Sequence, residues 1–192
     1  MDPANLSKES AVSFRVVIGC GLAYAILFYA NDWLMAFLEV SPGVNWIYLP
    51  AGLRLFLVLI FGLSGALGIA TASALITFGR DLGEDIISIV GIGLISGFGP
   101  YLARLLVIRN LKINPDLSNL NIQMIAISVL VFALLSTGLH QVWFVLMGIP
   151  SGSLSNAIAM LIGDILGALL FISICKFGID VYKRYYGKQS VL

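Results

Sequence analysis

Long apolar runs, separated by short polar segments, make up most of this chain. The runs fall at residues 12–30, 46–62, 64–78, 86–108, 120–138 and 154–176. They are continuous and do not alternate with a period of two, so they predict helices and not the strands of a β-barrel. A helix that crosses a bilayer needs roughly 20 mainly apolar residues. The pattern therefore predicts an all-α, polytopic transmembrane bundle of about six spans.

The stretch from Trp46 to Phe78 decides the number of spans. It holds 33 residues and one ionisable side chain, Arg54. A single helix of that length would extend for about 50 Å, whereas the hydrocarbon core is only about 30 Å thick. Glycines flank a serine at Gly62-Leu63-Ser64-Gly65, which is a suitable sequence for a tight turn. We therefore predict that this stretch folds back on itself as two helices.

Composition and charge agree with one membrane domain. The chain is 59% hydrophobic and 11% charged, whereas soluble domains are about 25% charged. The net charge of +1 does not bear on nucleic acid, but the sequence shows no basic patch interleaved with aromatic residues, so nucleic acid is not expected as a partner. We divide the chain into a cytoplasmic N-terminal tail at 1–11, a transmembrane domain at 12–178 and a basic cytoplasmic C-terminal tail at 179–192.

Basic residues predict the orientation. With six spans and a cytoplasmic N-terminus, nine of the 11 basic residues lie at or near the cytoplasmic side, as the positive-inside rule requires. These nine are Lys8, Arg15, Arg104, Arg109, Lys112, Lys176, Lys183, Arg184 and Lys188. Arg80 falls outside, and Arg54 lies within the membrane. We therefore expect a bacterial inner-membrane protein with both termini in the cytoplasm.

Arg54 and Asp164 are the main candidate site residues. Each lies about eight to ten residues into its span from the outer side, which places both roughly 12–15 Å deep. Opposite charges at equal depth favour a buried pair, because each ion alone would carry a desolvation penalty of several kcal/mol. We predict that both face the bundle interior and either contact each other or share a polar cavity. A static pair and a ligand or proton site are both consistent with the sequence.

Several other residues are weaker candidates. His140 follows the fifth predicted span and is interpreted as an interfacial histidine, with pH sensing or ligand contact as alternatives. Ser153 and Asn156 precede or open the last span, where they suit helix capping, with an anion site as the alternative. Arg104 lies near the cytoplasmic end of its span, from which its side chain can extend to the headgroups. An interfacial aromatic belt on the outer side is expected to hold Trp33, Tyr48 and Trp143, with a ligand cage as the alternative, and Trp46 lies at the same depth but is set apart by the resemblance described below.

Two segments resemble a known family. Trp46-Ile47-Tyr48-Leu49-Pro50-Ala51-Gly52-Leu53, followed by Gly62 and Gly65-Ala66-Leu67-Gly68, resembles the first block of the MASE1 membrane sensor domain. Gly163-Asp164-Ile165-Leu166-Gly167-Ala168-Leu169-Leu170 resembles its closing block. The positions that match the family's marked residues are Trp46, Pro50, Gly52, Gly163, Asp164 and Gly167.

The resemblance implies a bacterial inner-membrane domain that detects a stimulus and passes it to an output domain, usually a kinase, cyclase or phosphodiesterase. MASE1 domains typically have about eight spans, whereas six are predicted here. The chain ends at Leu192 without an output domain, so a sensor of this kind is expected to act through a separate protein.

Three functions fit the sequence. The first is a sensory or ligand-recognition module that acts through a partner protein, with a small and plausibly anionic ligand near Arg54 and Asp164. The second is a small transporter or the substrate-capture subunit of one, and the third is a structural subunit of a membrane complex. Beyond the lipid bilayer, we expect a protein partner or a homo-oligomer. The sequence shows no nucleophile with a base, no phosphate-binding loop and no clustered metal ligands, so we expect neither an enzyme nor a cofactor or metal.

Overall fold

Five helices form the bundle in the computed structural model, which describes residues 12–80, 85–114 and 117–186. They are α1 (Phe14–Leu34), α2 (Leu49–Gly79), α3 (Ile86–Leu111), α4 (Ile122–Leu146) and α5 (Leu154–Tyr186). Each is long and apolar enough to cross a membrane. The predicted helical, multi-pass membrane architecture is therefore confirmed. The predicted N-terminal tail at 1–11 lies outside the described residues, and the predicted domain end at 178 falls within α5.

A short β-ribbon between α1 and α2 was not predicted. After a 3₁₀ turn at Ala36–Leu38, strand β1 (Glu39–Ser41) pairs antiparallel with β2 (Val44–Asn45). Pro42 and Gly43 form the connection, and Gly43 has a φ of 79°, the value that the third residue of a type II turn requires. We call the end of the bundle that carries this ribbon the ribbon end.

Helix α2 is broken at Gly62, as the sequence predicts. Gly62 has φ 53° and ψ −127°, which no residue within a helix adopts. Past this break, a Cβ at Gly65 would lie 2.7 Å from the carbonyl oxygen of Leu57. Residues eight apart in a straight helix are separated by about 12 Å along its axis. The chain therefore turns back at Gly62, and residues 49–61 and 63–79 form a helical hairpin.

Contacts with α1 show how deep this hairpin is. At the ribbon end, the Leu49 N–H donates to Asn31 Oδ1 at 3.0 Å, and Arg80, just after α2, pairs with Asp32 at 3.3 Å. Near the break, the Ser13 N–H donates to Ser64 Oγ at 3.1 Å. From Ser13 to Asn31 the chain rises about 27 Å, close to the thickness of a hydrocarbon core. Both halves of the hairpin therefore extend over most of the length of α1.

The Arg104 side chain hydrogen-bonds to the end of the first half of α2, just before the break at Gly62. Its Nε donates to the carbonyl oxygen of Leu59 at 3.3 Å, and the side chain is only 7% exposed. The carbonyls at the end of a helix have no partner within that helix, and the break at Gly62 creates such an end inside the bundle. The interpretation of Arg104 as a side chain that extends to the headgroups is therefore wrong, because the broken helix offers it a buried acceptor.

Large apolar side chains cover the outer faces of the helices. Those that are well exposed include Leu22, Ile26, Leu130, Leu134 and Leu166. Extended exposure of this kind is unusual in a soluble monomer and is consistent with contact with the lipid bilayer.

Candidate functional site

A buried ion pair lies at the centre of the bundle. Arg54 Nη2 on α2 is 3.3 Å from Asp164 Oδ1 on α5, and the two side chains are 2% and 1% exposed. Of the two arrangements that equal depth allows, a direct contact or a shared polar cavity, the structure shows the contact. Burial of both charges requires that each compensate the other, because a lone charge in a low-dielectric interior is strongly unfavourable.

Two aromatic rings enclose the guanidinium. Arg54 Cζ lies 5.2 Å from the ring centroid of Tyr48 and 5.5 Å from that of Phe132. Cation–π contacts of this geometry stabilise a desolvated cation. The hydroxyl of Tyr48 is 3.0 Å from that of Tyr24 on α1. The assignment of Tyr48 to an interfacial belt is therefore wrong, since its ring faces Arg54 and its hydroxyl bonds within the bundle.

The glycines on either side of Asp164 let α5 approach the start of α2. A Cβ at Gly163 would overlap the carbonyl oxygen of Asn45, and a Cβ at Gly167 would overlap that of Tyr48. The close approach is fixed by a hydrogen bond from the Tyr48 N–H to the Gly163 carbonyl at 3.1 Å. Asp164 thereby reaches Arg54, one and a half turns into α2.

The two MASE1-like segments meet at this interface. Gly52 packs against α5, where its Cβ would lie 2.6 Å from the Cβ of Phe171. Pro50 lies in the first turn of α2, where its missing N–H costs no helical hydrogen bond. The Trp46 side chain is exposed and lies outside the ion pair. All six marked positions thus lie at the contact between the two segments or directly beside it, Trp46 through its backbone carbon, which would lie 3.5 Å from a Cβ at Gly163.

Polar atoms at the pair retain unused bonding capacity. Among the described residues, no hydrogen-bond partner is present for the buried atoms Arg54 Nε, Asp164 Oδ2 and, on α4, Ser136 Oγ. A buried polar group without a partner costs roughly 1–3 kcal/mol. A ligand group that bonded to the guanidinium would recover part of this cost.

A cavity of about 170 Å³ adjoins Arg54. Its polar lining comes from four helices and the segment before α2, and it includes Tyr24, Tyr48, Arg54, Ser73, Ser96 and His140. At the ribbon end it reaches Pro42, Arg80 and Pro150. The cavity is thus a mainly apolar space with a few polar side chains on its wall, and it extends from the ribbon end to a buried cation.

His140 lies on this cavity and not at the membrane interface. Helix α4 continues to Leu146, so His140 is inside the helix and only 3% exposed. Its Nδ1 is 2.8 Å from the Ser136 carbonyl oxygen, which can only accept, so Nδ1 carries the hydrogen. Its hydrogen-bond partners among the described residues are a carbonyl and a hydroxyl, both uncharged. Burial favours the neutral ring. The interfacial interpretation is therefore wrong, and Nε2 is an acceptor.

A directed chain of hydrogen bonds follows from this tautomer. Ser96 Oγ is 3.3 Å from His140 Nε2 and must donate its hydrogen there. Ser73 Oγ, 2.9 Å from Ser96 Oγ, then donates to Ser96. Its own oxygen is left as an acceptor. This chain crosses from α2 through α3 to α4, and nothing in the residue spacing predicts it.

Ser153 caps the start of α5, whereas Asn156 does not. Ser153 Oγ accepts from the Asn156 N–H at 3.2 Å, and Asn156 Nδ2 donates to the Ser151 carbonyl at 3.1 Å. Neither side chain lines the cavity. The capping interpretation is therefore confirmed for Ser153, while the Asn156 side chain holds the preceding loop and caps no helical N–H group.

A second charged cluster lies at the ribbon end. Arg80 contacts Asp32 at 3.3 Å and Glu39 at 3.8 Å, and its guanidinium lies 5.6 Å from the ring centroid of Phe28. Arg80 and Asp32 are 25% and 40% exposed, so water screens this cluster. It ties the end of the α2 hairpin to the ribbon beside the cavity.

Comparison with protein-family models, curated proteins and solved structures finds no match to this chain. Its function is therefore inferred from the residues of the cavity.

Proposed function

We propose that this protein is an inner-membrane recognition module that binds a small carboxylate-bearing ligand beside Arg54 and acts through a separate protein. The observation that carries the proposal is a buried guanidinium with an unpartnered Nε, in an arginine that lines a cavity. The planar fork of arginine suits carboxylates, and its hydrogen bonds to ions are stronger in a site that excludes water. Ligand contact with residues on both halves of α2 would bias the packing of the hairpin, and a partner could detect that change.

Binding is tested with propanoate and its uncharged analogue propanamide. Propanoate should raise the unfolding temperature of the detergent-purified protein in a concentration-dependent way, because it stabilises the folded state by mass action. Propanamide, of similar size, should have little effect. Arg54→Lys keeps the charge and loses the fork, so it should weaken propanoate binding about tenfold or more. Equal effects of the two probes on the wild-type protein would refute recognition of a carboxylate.

We further propose that the chain crosses the membrane six times with both termini in the cytoplasm. The reversal at Gly62 and the contact between Ser13 and Ser64 support this topology. The test uses single cysteines at Val12, Asn110 and Ser155 in a background without Cys20 and Cys175. An impermeant maleimide should label Ser155→Cys in intact cells, and label the other two only after permeabilisation. The proposal would be refuted if one of Val12→Cys and Asn110→Cys were labelled in intact cells and the other only after permeabilisation. A straight α2 predicts that result, because it places these two positions on opposite sides of the membrane.

A substrate-capture subunit of a transporter is the second candidate. The observation that favours it is the interruption of α2, both halves of which line the cavity beside Arg54, since many transporters bind substrate at discontinuous helices. A structural subunit is less well supported, because a purely structural bundle has no need of a cavity beside a buried cation. Mild crosslinking and co-purification from native membranes distinguish the first two: a signalling protein supports recognition, and an ATPase or coupling subunit supports transport.

The relation to MASE1 domains remains part of this proposal. What supports it is the packing of Gly52 against α5 and of Gly163 and Gly167 against the segment that enters α2. Small residues at these positions have a shared physical reason, because together they bring Asp164 to Arg54.

A further inference from the structure

We infer that the ligand is a small carboxylate with a hydrogen-bond donor beside the carboxylate, such as a 2-hydroxy or 2-amino acid. This inference rests on the proposed function and concerns the same cavity. It follows from three properties of the cavity wall, namely the direction of its hydrogen bonds, its size and its charge.

The direction of hydrogen bonding places an acceptor on the wall. His140 Nδ1 donates to a carbonyl, Ser96 donates to His140 Nε2, and Ser73 donates to Ser96. Each hydroxyl has one hydrogen, so the hydrogen of Ser73 is already committed. Ser73 lines the cavity together with Arg54. Its oxygen can accept from a ligand but cannot donate, which makes it the complement of the guanidinium.

The size of the cavity limits the ligand. A volume of about 170 Å³ is close to that of a cavity of about 150 Å³ that accommodates benzene. A ligand of about six non-hydrogen atoms is therefore the expected size. Three-carbon 2-hydroxy and 2-amino acids meet this limit, and they carry a donor on the carbon that is bonded to the carboxylate.

Charge further restricts the class. The charge of Arg54 is already shared with Asp164, and the other cation on the cavity wall, Arg80, pairs with Asp32 and Glu39. A dianion such as phosphate would therefore leave two negative charges without compensation in a partly dry site. A monocarboxylate leaves one uncompensated negative charge. An amino acid leaves none, because its own ammonium group balances its carboxylate.

The experiment compares lactate, alanine and propanoate by calorimetry on the purified full-length protein. Lactate and alanine should each bind about 3- to 10-fold more tightly than propanoate, the gain expected for one additional hydrogen bond. Inorganic phosphate should bind more weakly than all three. In Ser73→Ala the ratio of lactate and alanine affinity to propanoate affinity should fall to about one.

Ser128→Ala is the matched control. Ser128 is also a buried helical serine, but its hydroxyl donates to the Met124 carbonyl and it does not line this cavity. It should retain the advantage of lactate and alanine. If lactate and alanine bind no more tightly than propanoate, the inference is wrong and carboxylate recognition stands. If none of the three binds, both proposals are overturned.

Discussion

Removal of the Asp164 charge should destabilise the protein far more than removal of an exposed carboxylate with the same geometry. In Asp164→Asn the side chain keeps its shape, but Arg54 is left as a buried charge without a counterion. Unit charges about 4 Å apart attract by about 4 kcal/mol at an effective dielectric constant of about 20. Removal of one partner of a buried pair typically lowers the free energy of unfolding by about 3–5 kcal/mol. We expect Asp164→Asn to lower it by an amount in this range.

Asp32→Asn is the matched control for this comparison. Asp32 is also 3.3 Å from an arginine nitrogen, but Arg80 and Asp32 are 25% and 40% exposed. Exposed ion pairs contribute about 0–1 kcal/mol, and Glu39 still contacts Arg80 in this variant. Burial is therefore the main difference between the two substitutions.

The assay is thermal unfolding of detergent-purified protein, followed by tryptophan fluorescence. For a chain of this size, about 1 kcal/mol corresponds to roughly 2–4 °C, so Asp164→Asn should lower the midpoint on the order of 10 °C and Asp32→Asn by only a few degrees. The double variant Arg54→Met, Asp164→Leu should recover most of the loss, because it removes both charges. Equal small losses for Asp164→Asn and Asp32→Asn would refute the importance of the buried pair. A double variant no more stable than Asp164→Asn would attribute the loss to packing.

Three further predictions concern single positions, each with a control. Gly62→Ala should lower the free energy of unfolding by about 1–3 kcal/mol, because the φ of 53° at this position is unfavourable for a residue with a Cβ. Gly138→Ala in α4, with open space around it, is the control and should leave the thermal unfolding midpoint unchanged or raise it. Gly167→Ala should lower stability and weaken propanoate binding, because its Cβ would overlap the Tyr48 carbonyl and displace α5, while Gly178→Ala on the same helix should change neither. The hydroxyl and backbone N–H of Ser88 bond to the Asp85 carboxylate at the start of α3 and lower the pKa of Asp85. The stabilising contribution of the Asp85 carboxylate is therefore present above its unfolded pKa of about 3.9 and is lost as the pH falls through its folded pKa. The difference in unfolding free energy between wild type and Asp85→Ala should shrink on acidification from pH 7 to pH 3. A difference that stays constant over this range would contradict the prediction.

Hydropathy and depth were sufficient to predict the helices, the break at Gly62 and the burial of Arg54 and Asp164 at equal depth, but they did not decide between a direct contact and a shared cavity. Each of these follows from a limit set by the bilayer, either the length of a span or the cost of an isolated charge. The end of α4 was predicted eight residues too early, at 138 and not at Leu146. His140 and Gln141 interrupt the apolar run there, but both are buried within the bundle and are compatible with the helix.

Side-chain direction is what the sequence did not specify. Tyr48 lies two residues from Trp46, and both were expected at the interface, yet one ring contacts Arg54 and the other is exposed. The difference arises because Gly163 accepts from the Tyr48 N–H and fixes the orientation of that residue. Arg104 likewise depends on a carbonyl of Leu59 that becomes available only when the helix breaks. Such partners are distant in sequence and carry no periodic signal.

The reversal at Gly62 explains why this cavity has two kinds of polar wall. In a straight helix Arg54 and Ser73, 19 residues apart, would be separated by about 28 Å, yet both line the same cavity of about 170 Å³. The first half of α2 contributes the cation, held in place by Asp164 from α5, and the second half contributes the acceptor, oriented by His140 from α4. A ligand that bonds to both therefore bridges the two halves of the hairpin. Binding of the proposed ligand would therefore act directly on the packing of the two halves, and through α4 and α5 on the rest of the bundle, as the proposed recognition role requires.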